Sequence, residues 1–275
     1  MIKVGGKELN ISKFPDGTPK INLDINSINE DTYKDINYVF VEWYYEDDNE
    51  LFYLMLVKKH LERYFTNADY YLYMPYLPNA RMDRVKSTDE VFTLKYFCDF
   101  INWLKFDLVF VLDAHSNVSV ALLNNCSNES PKEFIDTAIN DINVDDLVLF
   151  FPDEGSQKRY SDMFDLPYAF GLKKRDWKTG KILGLDVIDN GIDLKDKTIL
   201  IIDDICSRGG TFYHSAKALK ELGVGKIYLY ITHCENTILE GEVLTSGLIE
   251  RVYTTDSIFT KEHEKIAKIE TCITN

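Results

Sequence analysis

Apolar runs of strand length alternate along this chain with stretches of helical character. The runs are rich in β-branched and aromatic residues and lack polar alternation, which is typical of strands buried on both faces. They are INYVFVEWYY, DYYLYMPYL, FDLVFVLDAH, DDLVLFFPDEG, KTILIIDDIC and KIYLYITHC. The helical stretches between them are NELFYLMLVKKHLERYF, DEVFTLKYFCDFINWL, SPKEFIDTAINDI and GTFYHSAKALKELG. This alternation predicts an α/β fold of mostly parallel sheets flanked by helices.

Two of the strands end in the same way, with acidic residues, a turn and then a helix. They are LVFVLDAHS and ILIIDDICS, and the polar segment Asn124–Pro131 lies between them. A chain of 275 residues can bury one large core or two ordinary ones. We therefore predict two tandem α/β domains, residues 1–130 and 131–275, with one continuous sheet as the alternative.

The charge and the cysteine content narrow the possible partners. Lys plus Arg total 31 against 45 for Asp plus Glu, and the formal charge of −14 repels a nucleic-acid backbone. The five cysteines form neither an even disulfide framework nor a C-x-x-C metal pair, and the N-terminus lacks the apolar core of a secretory signal. No apolar stretch approaches the roughly 20 residues of a transmembrane helix. These features predict a reduced, cytoplasmic protein that binds neither nucleic acid nor membranes.

The segment KTILIIDDICSRGGT, residues 197–211, carries the strongest chemical signal. In open α/β sheets ligands bind beyond the carboxyl ends of the strands, where Asp203 and Asp204 stand, and adjacent carboxylates suit sugar hydroxyls or a magnesium ion. A glycine-rich turn before a helix lets backbone N–H groups approach a phosphate. That turn consists of Ser207, Arg208, Gly209, Gly210 and Thr211. The segment predicts a phosphorylated-ribose site; an ordinary βα loop with a threonine cap would explain the glycines and Thr211, but not the acids and Arg208.

Four apolar residues, two acids and a loop ending in Gly and Thr resemble the phosphoribosyl-pyrophosphate loop of type I phosphoribosyltransferases and of ribose-phosphate diphosphokinases. The loop alone does not choose between the two. Other segments, in the same order, are similar to those of the ribose-phosphate diphosphokinase (phosphoribosyl-pyrophosphate synthetase) family, in its compact, phage-like version. The resemblance implies two tandem type I phosphoribosyltransferase-like domains, an N-terminal one on the ATP and metal side and a C-terminal one on the ribose-phosphate side.

The segment FPDGTPKI resembles the F-x-D-G-E loop of this family, which reaches into a neighbouring subunit and contacts adenine. The resemblance implies an ATP-binding role for Phe14 and Asp16, with Thr18 in place of the glutamate. By itself, P-D-G predicts only a turn. A loop of this kind implies a homo-oligomer, a dimer or a hexamer.

The segment LPNARMDRVKSTDE places three cations after an aromatic strand and before a helix predicted to be capped at its S-T pair. Guanidinium groups suit bidentate contacts to a polyphosphate, whereas a solvated charged face at a helix start is the alternative. In the family, a similar R-Q-D-R segment binds ATP phosphates. The resemblance gives this role to Arg81, Asp83 and Arg84, with Met82 in place of the glutamine.

Two further acidic strand ends are predicted to lie near a metal. Asp113 and His115 follow the strand FDLVFVL, and the D-x-H of the family at this place coordinates the magnesium bound to ATP. Asp153, in FPDEGSQKRY, matches the P-D-x-G loop that lies close to the metal and the ribose. Taken alone, a histidine after a strand is more often a cap or surface residue. Lys158 and Arg159 are predicted to form the solvated face of the next helix.

The most cationic stretch of this acidic chain is GLKKRDWKTGKI. Positive charge suits the stabilisation of a phosphoryl group in transfer. The family carries a K-x-R pair on a flexible catalytic loop, which Lys173 and Arg175 match, and Lys174 is an additional candidate. The pattern also predicts a basic β-hairpin with Thr179–Gly180 at its turn.

The activity implied by the resemblance is transfer of the β,γ-diphosphate of ATP, with Mg²⁺, to the anomeric 1-hydroxyl of ribose 5-phosphate. The family loop reads D-T-x-G-T where this chain reads SRGGT, and Arg208 could contact a second phosphoryl group. ADP-ribose, as in NAD salvage, is therefore the alternative acceptor. A phosphoribosyltransferase and a catalytically silent regulatory subunit are two further alternatives.

Overall fold

The structure of the chain, a computed structural model, describes residues 1–26, 28, 38–175 and 182–271. The chain divides into two compact units, Met1–Ser130 and Pro131–Asn275. Each unit has a main sheet of its own, so the described strands do not form the single continuous sheet that was the alternative. Among the described helices, none has the length and apolar composition needed to cross a bilayer.

The first unit is built on a six-stranded sheet. Its strands are β1 (Ile2–Val4), β2 (Lys7–Glu8), β5 (Tyr38–Trp43), β6 (Asp69–Tyr73), β7 (Leu108–Leu112) and β8 (Cys126–Glu129), and β3 (Asn10–Lys13) and β4 (Pro19–Asn22) form a separate hairpin. The order is β2-β1-β5-β6-β7-β8. Strands β5 to β8 pair in parallel, and β1 pairs antiparallel with β2 and β5. The helices are α1 (Asn49–Leu61), α2 (Thr93–Trp103) and α3 (Asn117–Leu122).

The core of this unit forms where amphipathic helices cover the sheet. In α2 the buried residues recur at helical spacing and make one apolar face: Leu94, Phe97, Cys98 and Ile101. The Phe97 ring stacks on buried Trp43 of β5, with centroids 6.0 Å apart. The helix therefore fixes the neighbouring parallel strands whose carboxyl ends carry the predicted site residues.

The second unit is built on a seven-stranded sheet. After α4 (Lys132–Ile142) its elements are β9 (Leu147–Phe151), α5 (Glu154–Tyr160), β10 (Tyr168–Arg175), β11 (Ile182–Ile188), β12 (Thr198–Cys206), α6 (Gly210–Glu221), β13 (Ile227–Cys234), β14 (Arg251–Thr255) and β15 (Ile266–Ile269). The order is β11-β10-β9-β12-β13-β14-β15, and every pair is parallel except β10–β11. The central strands β9 and β12 are buried almost throughout, which explains why their sequences show no polar alternation.

The six predicted strands and the four predicted helices are present, and the predicted α/β class with mostly parallel sheets is confirmed. One boundary is wrong: α2 begins at Thr93, not at Ser87–Thr88. There the Glu90 carboxylate accepts the N–H of Lys86 at 2.7 Å and closes a turn instead of a helix. Helix α6 begins at Gly210, the first residue of the predicted helical stretch GTFYHSAKALKELG.

Candidate active site

In the second unit, Asp203 and Asp204 lie near the carboxyl end of β12, and Arg159 of α5 joins them. The Nη1 of Arg159 donates to Oδ2 of Asp204 at 2.9 Å, and Oδ1 of Asp204 accepts the N–H of Ile205 at 2.9 Å. The N–H of Asp204 donates to Oδ1 of Asp203 at 3.0 Å. The two adjacent carboxylates were predicted to suit sugar hydroxyls or a magnesium ion, and Arg159 places a positive charge beside one of them from within the chain.

The assignment of Arg159 to a solvated helix face was therefore wrong. Its side chain is 26% exposed, whereas Lys158 beside it is exposed as predicted. The sequence carries a weak signal that Arg159 is not fully exposed. A seven-residue helix that directly follows Asp153 must pack one of its faces against the sheet. Ser156 and Tyr160 are the residues of α5 that are buried, and Arg159 stands next to Tyr160.

Asp203 and Asp204 lie in an unusual electrostatic environment. Burial raises the pKa of Asp203 well above the usual aspartate range, and the charges of Asp204 and Asp153 raise it further. A ligand that brings hydroxyl donors or positive charge to this place would offset that repulsion. The environment therefore suits a polyhydroxylated or cation-bound ligand.

Asp153 begins α5 and caps it. Its Oδ1 accepts the N–H groups of Gly155 at 3.0 Å and Ser156 at 3.1 Å, and Ser156 completes a capping box. The structure thus gives Asp153 a capping role, and its predicted metal role stays a prediction.

The turn after β12, where the phosphate cradle is predicted, has a left-handed glycine followed by the N-terminus of a helix. Gly209 has a φ of 77° and caps α6, a 12-residue helix whose N-terminus faces the turn. A Cβ on Gly209 would lie 2.8 Å from Cγ1 of Val243, and a Cβ on Gly241 would collide with the carbonyl of Arg208. The loop around Gly241 therefore fixes the turn from outside by close backbone contact.

The side chain of Arg208 lies on the outer side of this turn. Its Nη2 contacts Oε2 of Glu240 at 2.9 Å, and both side chains are exposed. Ser207 is half-buried, and Gly210 and Thr211 are exposed at the first turn of α6. The five predicted residues of the cradle thus run from the turn after β12 into the first turn of α6.

The predicted catalytic residues lie on the β10–β11 hairpin. The backbones of Lys173 and Lys174 pair with Leu185 and Gly184, and Arg175 ends β10 beside a register shift. This confirms a hairpin in the basic segment. The predicted turn at Thr179–Gly180 lies outside the described residues.

In the first unit, Asp113 and His115 follow β7. Asp113 is buried and has a φ of 44°, a conformation uncommon for a residue other than glycine. Its N–H donates to the carbonyl of Glu129 at 2.9 Å, and the N–H of Ala114 donates to Oδ1 of Asn128 at 2.9 Å. Strand β8 therefore holds the turn that presents the Asp113 carboxylate and the half-buried His115 ring.

The predicted phosphate-binding cations follow β6, the strand that neighbours β7 in the same sheet. Arg81 and Arg84 are exposed, and Nε of Arg84 lies 3.9 Å from Oδ1 of the half-buried Asp83. Because β6 and β7 are parallel, this cationic segment and Asp113 lie at the same edge of the sheet.

The F-x-D-G segment forms the turn of the β3–β4 hairpin. Oδ1 of Asp16 accepts the Thr18 hydroxyl at 2.6 Å and the Thr18 N–H at 3.0 Å, and these bonds lower the pKa of Asp16. Thr18, which replaces the glutamate of the family, therefore stabilises the turn. The Phe14 side chain is half exposed.

Comparisons with known proteins identify enzymes that this chain resembles. No family model matches this chain. The ribose-phosphate pyrophosphokinase of Thermococcus kodakarensis is 28% identical to it over 250 residues, which cover 89% of this chain and 81% of that protein. The enzyme of the same name from Pyrococcus abyssi is 28% identical over 246 residues, covering 88% and 79%. Over most of its length, the chain is therefore similar to ribose-phosphate pyrophosphokinases. It is an enzyme, a transferase of the ribose-phosphate diphosphokinase type.

A solved structure extends the comparison to the fold. The phosphoribosylpyrophosphate synthetase from Mycobacterium smegmatis superposes with a TM-score of 0.75 at 18% identity, covering 96% of this chain and 86% of that one. The prediction of two tandem type I phosphoribosyltransferase-like domains is confirmed. These comparisons concern whole chains, and the roles of the individual site residues stay predictions.

Proposed function

We propose that this enzyme transfers the β,γ-diphosphate of ATP to the anomeric 1-hydroxyl of a ribose 5-phosphate unit and releases AMP. A bond forms between the 1-oxygen and the β-phosphorus. The bond between the β-phosphorus and the oxygen that bridges it to the α-phosphorus breaks, and AMP leaves with the electron pair of that bond. The proton of the 1-hydroxyl is released. A transfer of this kind depends mainly on alignment and charge stabilisation.

The observation that carries the proposal is that two carboxylates, a glycine turn and a helix N-terminus follow one another at the end of β12. Two carboxylates, one of them held by Arg159, are followed by the Gly209 turn and the N-terminus of α6. The carboxylates suit the hydroxyls of a ribose, and the turn suits its 5′-phosphate. We assign Asp203 and Asp204 to the hydroxyls and the cradle, Ser207 to Thr211, to the phosphate.

The first unit takes ATP in this proposal. Arg81 and Arg84 contact its phosphates, Asp83 supports them, and the hairpin residues Phe14 and Asp16 contact the adenine of ATP bound to a neighbouring subunit. Lys173 and Arg175, with Lys174, bind the diphosphate in transfer. The charge of the guanidinium and ammonium groups is complementary to that of the polyphosphate.

The residues of the first unit fit Mg²⁺. This ion is usually held by one or two protein ligands together with water and substrate phosphates, and Asp113 and His115 are two candidate ligands. The hydroxyl of Ser116, next to them, is buried without a hydrogen-bond partner among the described residues, so it could receive a coordinated water. Across the described part of the chain, no three His, Cys, Asp or Glu side chains form a ready-made cluster. When bound, the ion would neutralise phosphate charge.

Incubation of the pure protein with ATP, Mg²⁺ and ribose 5-phosphate tests the proposal, with release of AMP as the readout. The same assay with ADP-ribose tests the second acceptor, which the replacement of the family's acid by Ser207–Arg208 favours. Its product would be ADP-ribose 1-pyrophosphate. If AMP is released with neither sugar, the proposed reaction is contradicted. A requirement for a nucleobase in place of ATP would indicate a phosphoribosyltransferase, and activity only after mixing with an active relative would indicate a regulatory subunit.

The half-exposed Phe14 hairpin supports a homo-oligomer, a dimer or a hexamer, in which a neighbouring subunit completes the ATP site. Light scattering after size-exclusion chromatography measures the assembly, and a monomer would contradict the ATP role of Phe14.

A cytoplasmic location stays a prediction.

A further inference from the structure

We propose that Arg159 is the positioning residue of the acceptor site: it fixes the Asp204 carboxylate and thereby the acid pair that binds the ribose hydroxyls. This inference rests on the proposed function and adds to it a residue that the family motifs above do not include. It concerns binding of the sugar acceptor, not of ATP.

The first support is the rigidity of the element that carries Arg159. Helix α5 is capped at one end by Asp153. At the other end Tyr160 is fully buried, and its ring stacks on Phe151 of β9 with centroids 6.4 Å apart. The Arg159 guanidinium lies 5.6 Å from the Tyr160 ring centroid. Arg159 therefore projects from a short helix that is fixed at both ends.

The second support is the continuity of the hydrogen bonds from Arg159 to the acid pair. Arg159 holds one carboxylate oxygen of Asp204, and the Ile205 N–H holds the other. The N–H of Asp204 in turn holds Oδ1 of Asp203. A change at Arg159 acts directly on the Asp204 carboxylate, and it reaches Asp203 because the carboxyl groups of the two residues interact with each other.

The third support is charge and burial. The Asp204 side chain is 8% exposed, and a buried carboxylate requires a partner. A planar guanidinium on a fixed helix provides a positive charge and also a defined hydrogen-bond direction for the carboxylate. A flexible ammonium group provides the charge without the defined direction. Loss of Arg159 would remove the ion pair that orients the Asp204 carboxylate and so disturb the acceptor site.

The test replaces Arg159 by methionine, which keeps much of the side-chain volume and removes the charge. We expect the KM for the acceptor sugar to rise at least about tenfold, as is usual when a group that orients a functional residue is lost, with the KM for ATP changed by less than about twofold. The matched control is Lys158→Met, which removes a cation from the exposed neighbouring position and should behave as wild type. Arg159→Lys should rescue the acceptor KM in part.

A purely structural role is distinguished by a second variant. Arg159→Met removes the ion pair of a buried carboxylate and should lower the Tm, whereas Arg159→Met with Asp204→Asn removes both charges and should recover most of the Tm. We expect the acceptor KM of this double variant to stay high. Recovery of the wild-type KM together with the Tm, or equal increases in both KM values in Arg159→Met, would overturn the inference.

Calorimetry with ribose 5-phosphate and with ADP-ribose separates this inference from the proposed reaction. If the wild type binds one of these sugars but releases no AMP, the reaction is contradicted, and weaker sugar binding by Arg159→Met still supports the inference. If Arg159→Met binds the sugar as tightly as the wild type does, the inference fails even where the reaction is observed. If the wild type binds neither sugar, both are contradicted.

Discussion

The strand ends at Asp113 and at Asp203–Asp204 look alike in sequence, but the structure holds them in different ways. After β7 the chain turns at once, and the backbone of Asp113 takes a left-handed conformation fixed by hydrogen bonds to β8. Strand β12 instead continues past its acids to Cys206, in parallel register with β13. There a side chain from a neighbouring helix, Arg159, holds the carboxylate.

The difference suits the ligands proposed for the two places. A single carboxylate at a sharp turn presents its oxygens in one fixed direction, as a metal ligand requires. Two successive carboxylates near the end of a strand offer several acceptor oxygens, as the neighbouring hydroxyls of a sugar require. The same sequence pattern can therefore serve two kinds of recognition, and the variants below test each of them.

The largest expected effect is at Asp113. Asp113→Gly should lower the rate of AMP release about 1000-fold, because several kcal/mol of charge stabilisation by the metal would be lost. Its stability should be equal or higher, since a left-handed conformation costs a residue with a Cβ about 1 kcal/mol. The matched control is Asn125→Gly, at a φ of 50° in the same unit, which should leave the activity unchanged. Full activity of Asp113→Gly would show that this turn does not hold the metal.

The second effect separates activity from stability at Asp203. Asp203→Asn keeps an acceptor for the Asp204 N–H but weakens hydroxyl binding, so we expect about a 100-fold loss in kcat/KM for the acceptor. Because folding raises the pKa of Asp203, its contribution to stability is greatest below its unfolded pKa and is lost as the pH rises through the folded value.

The pH dependence of the urea midpoint between pH 4 and 8 measures this contribution, at about 1.4 kcal/mol for each pKa unit between the two states. Asp203→Asn should be more stable than wild type at neutral pH, and the advantage should shrink towards pH 4. Asp162→Asn, at an exposed position, serves as the control. A parallel pH profile for wild type and Asp203→Asn would contradict the raised pKa.

A smaller effect is expected at the close contact behind the phosphate cradle. In Gly241→Ala the new Cβ collides with the Arg208 carbonyl, so the cradle must shift. We expect about 2 kcal/mol of destabilisation and about a tenfold higher acceptor KM. Gly247→Ala, whose φ of 71° is strained but whose Cβ would meet nothing within 4 Å, should lose stability without a change in KM. Equal KM values for both variants would mean that the cradle tolerates displacement.

The smallest effect is expected at the exposed ion pair of Arg208 with Glu240. Exposed pairs contribute about 0–1 kcal/mol, so Glu240→Gln should change the urea midpoint very little. Release of Arg208 should lower the KM for ADP-ribose by about twofold and leave that for ribose 5-phosphate unchanged, if the guanidinium contacts a second phosphoryl group. Unchanged KM values for both sugars would indicate that Arg208 does not select the acceptor.

The elements that could be predicted from sequence are those with long apolar runs. Strands such as β12 and helices such as α2 bury a continuous face, and that requirement appears directly in the residues. The shorter or exposed strands β1 to β4 and β8 do not carry such a signal. They were missed because each has only two to four residues and no continuous apolar run, even though β1 pairs with β2, and β3 with β4, over a short stretch of chain.

The site residues divide in a similar way. The sequence by itself determined which residues are candidates for the site, because their order along the chain matches the motifs of a known family. Only the tertiary structure decided how they are held. Arg159 and Asp204 are 45 residues apart, and no local pattern predicts that their side chains meet. Their pairing arises because α5 folds back from the end of β9 onto the adjacent strand β12, and the low solvent exposure there makes an ion pair necessary.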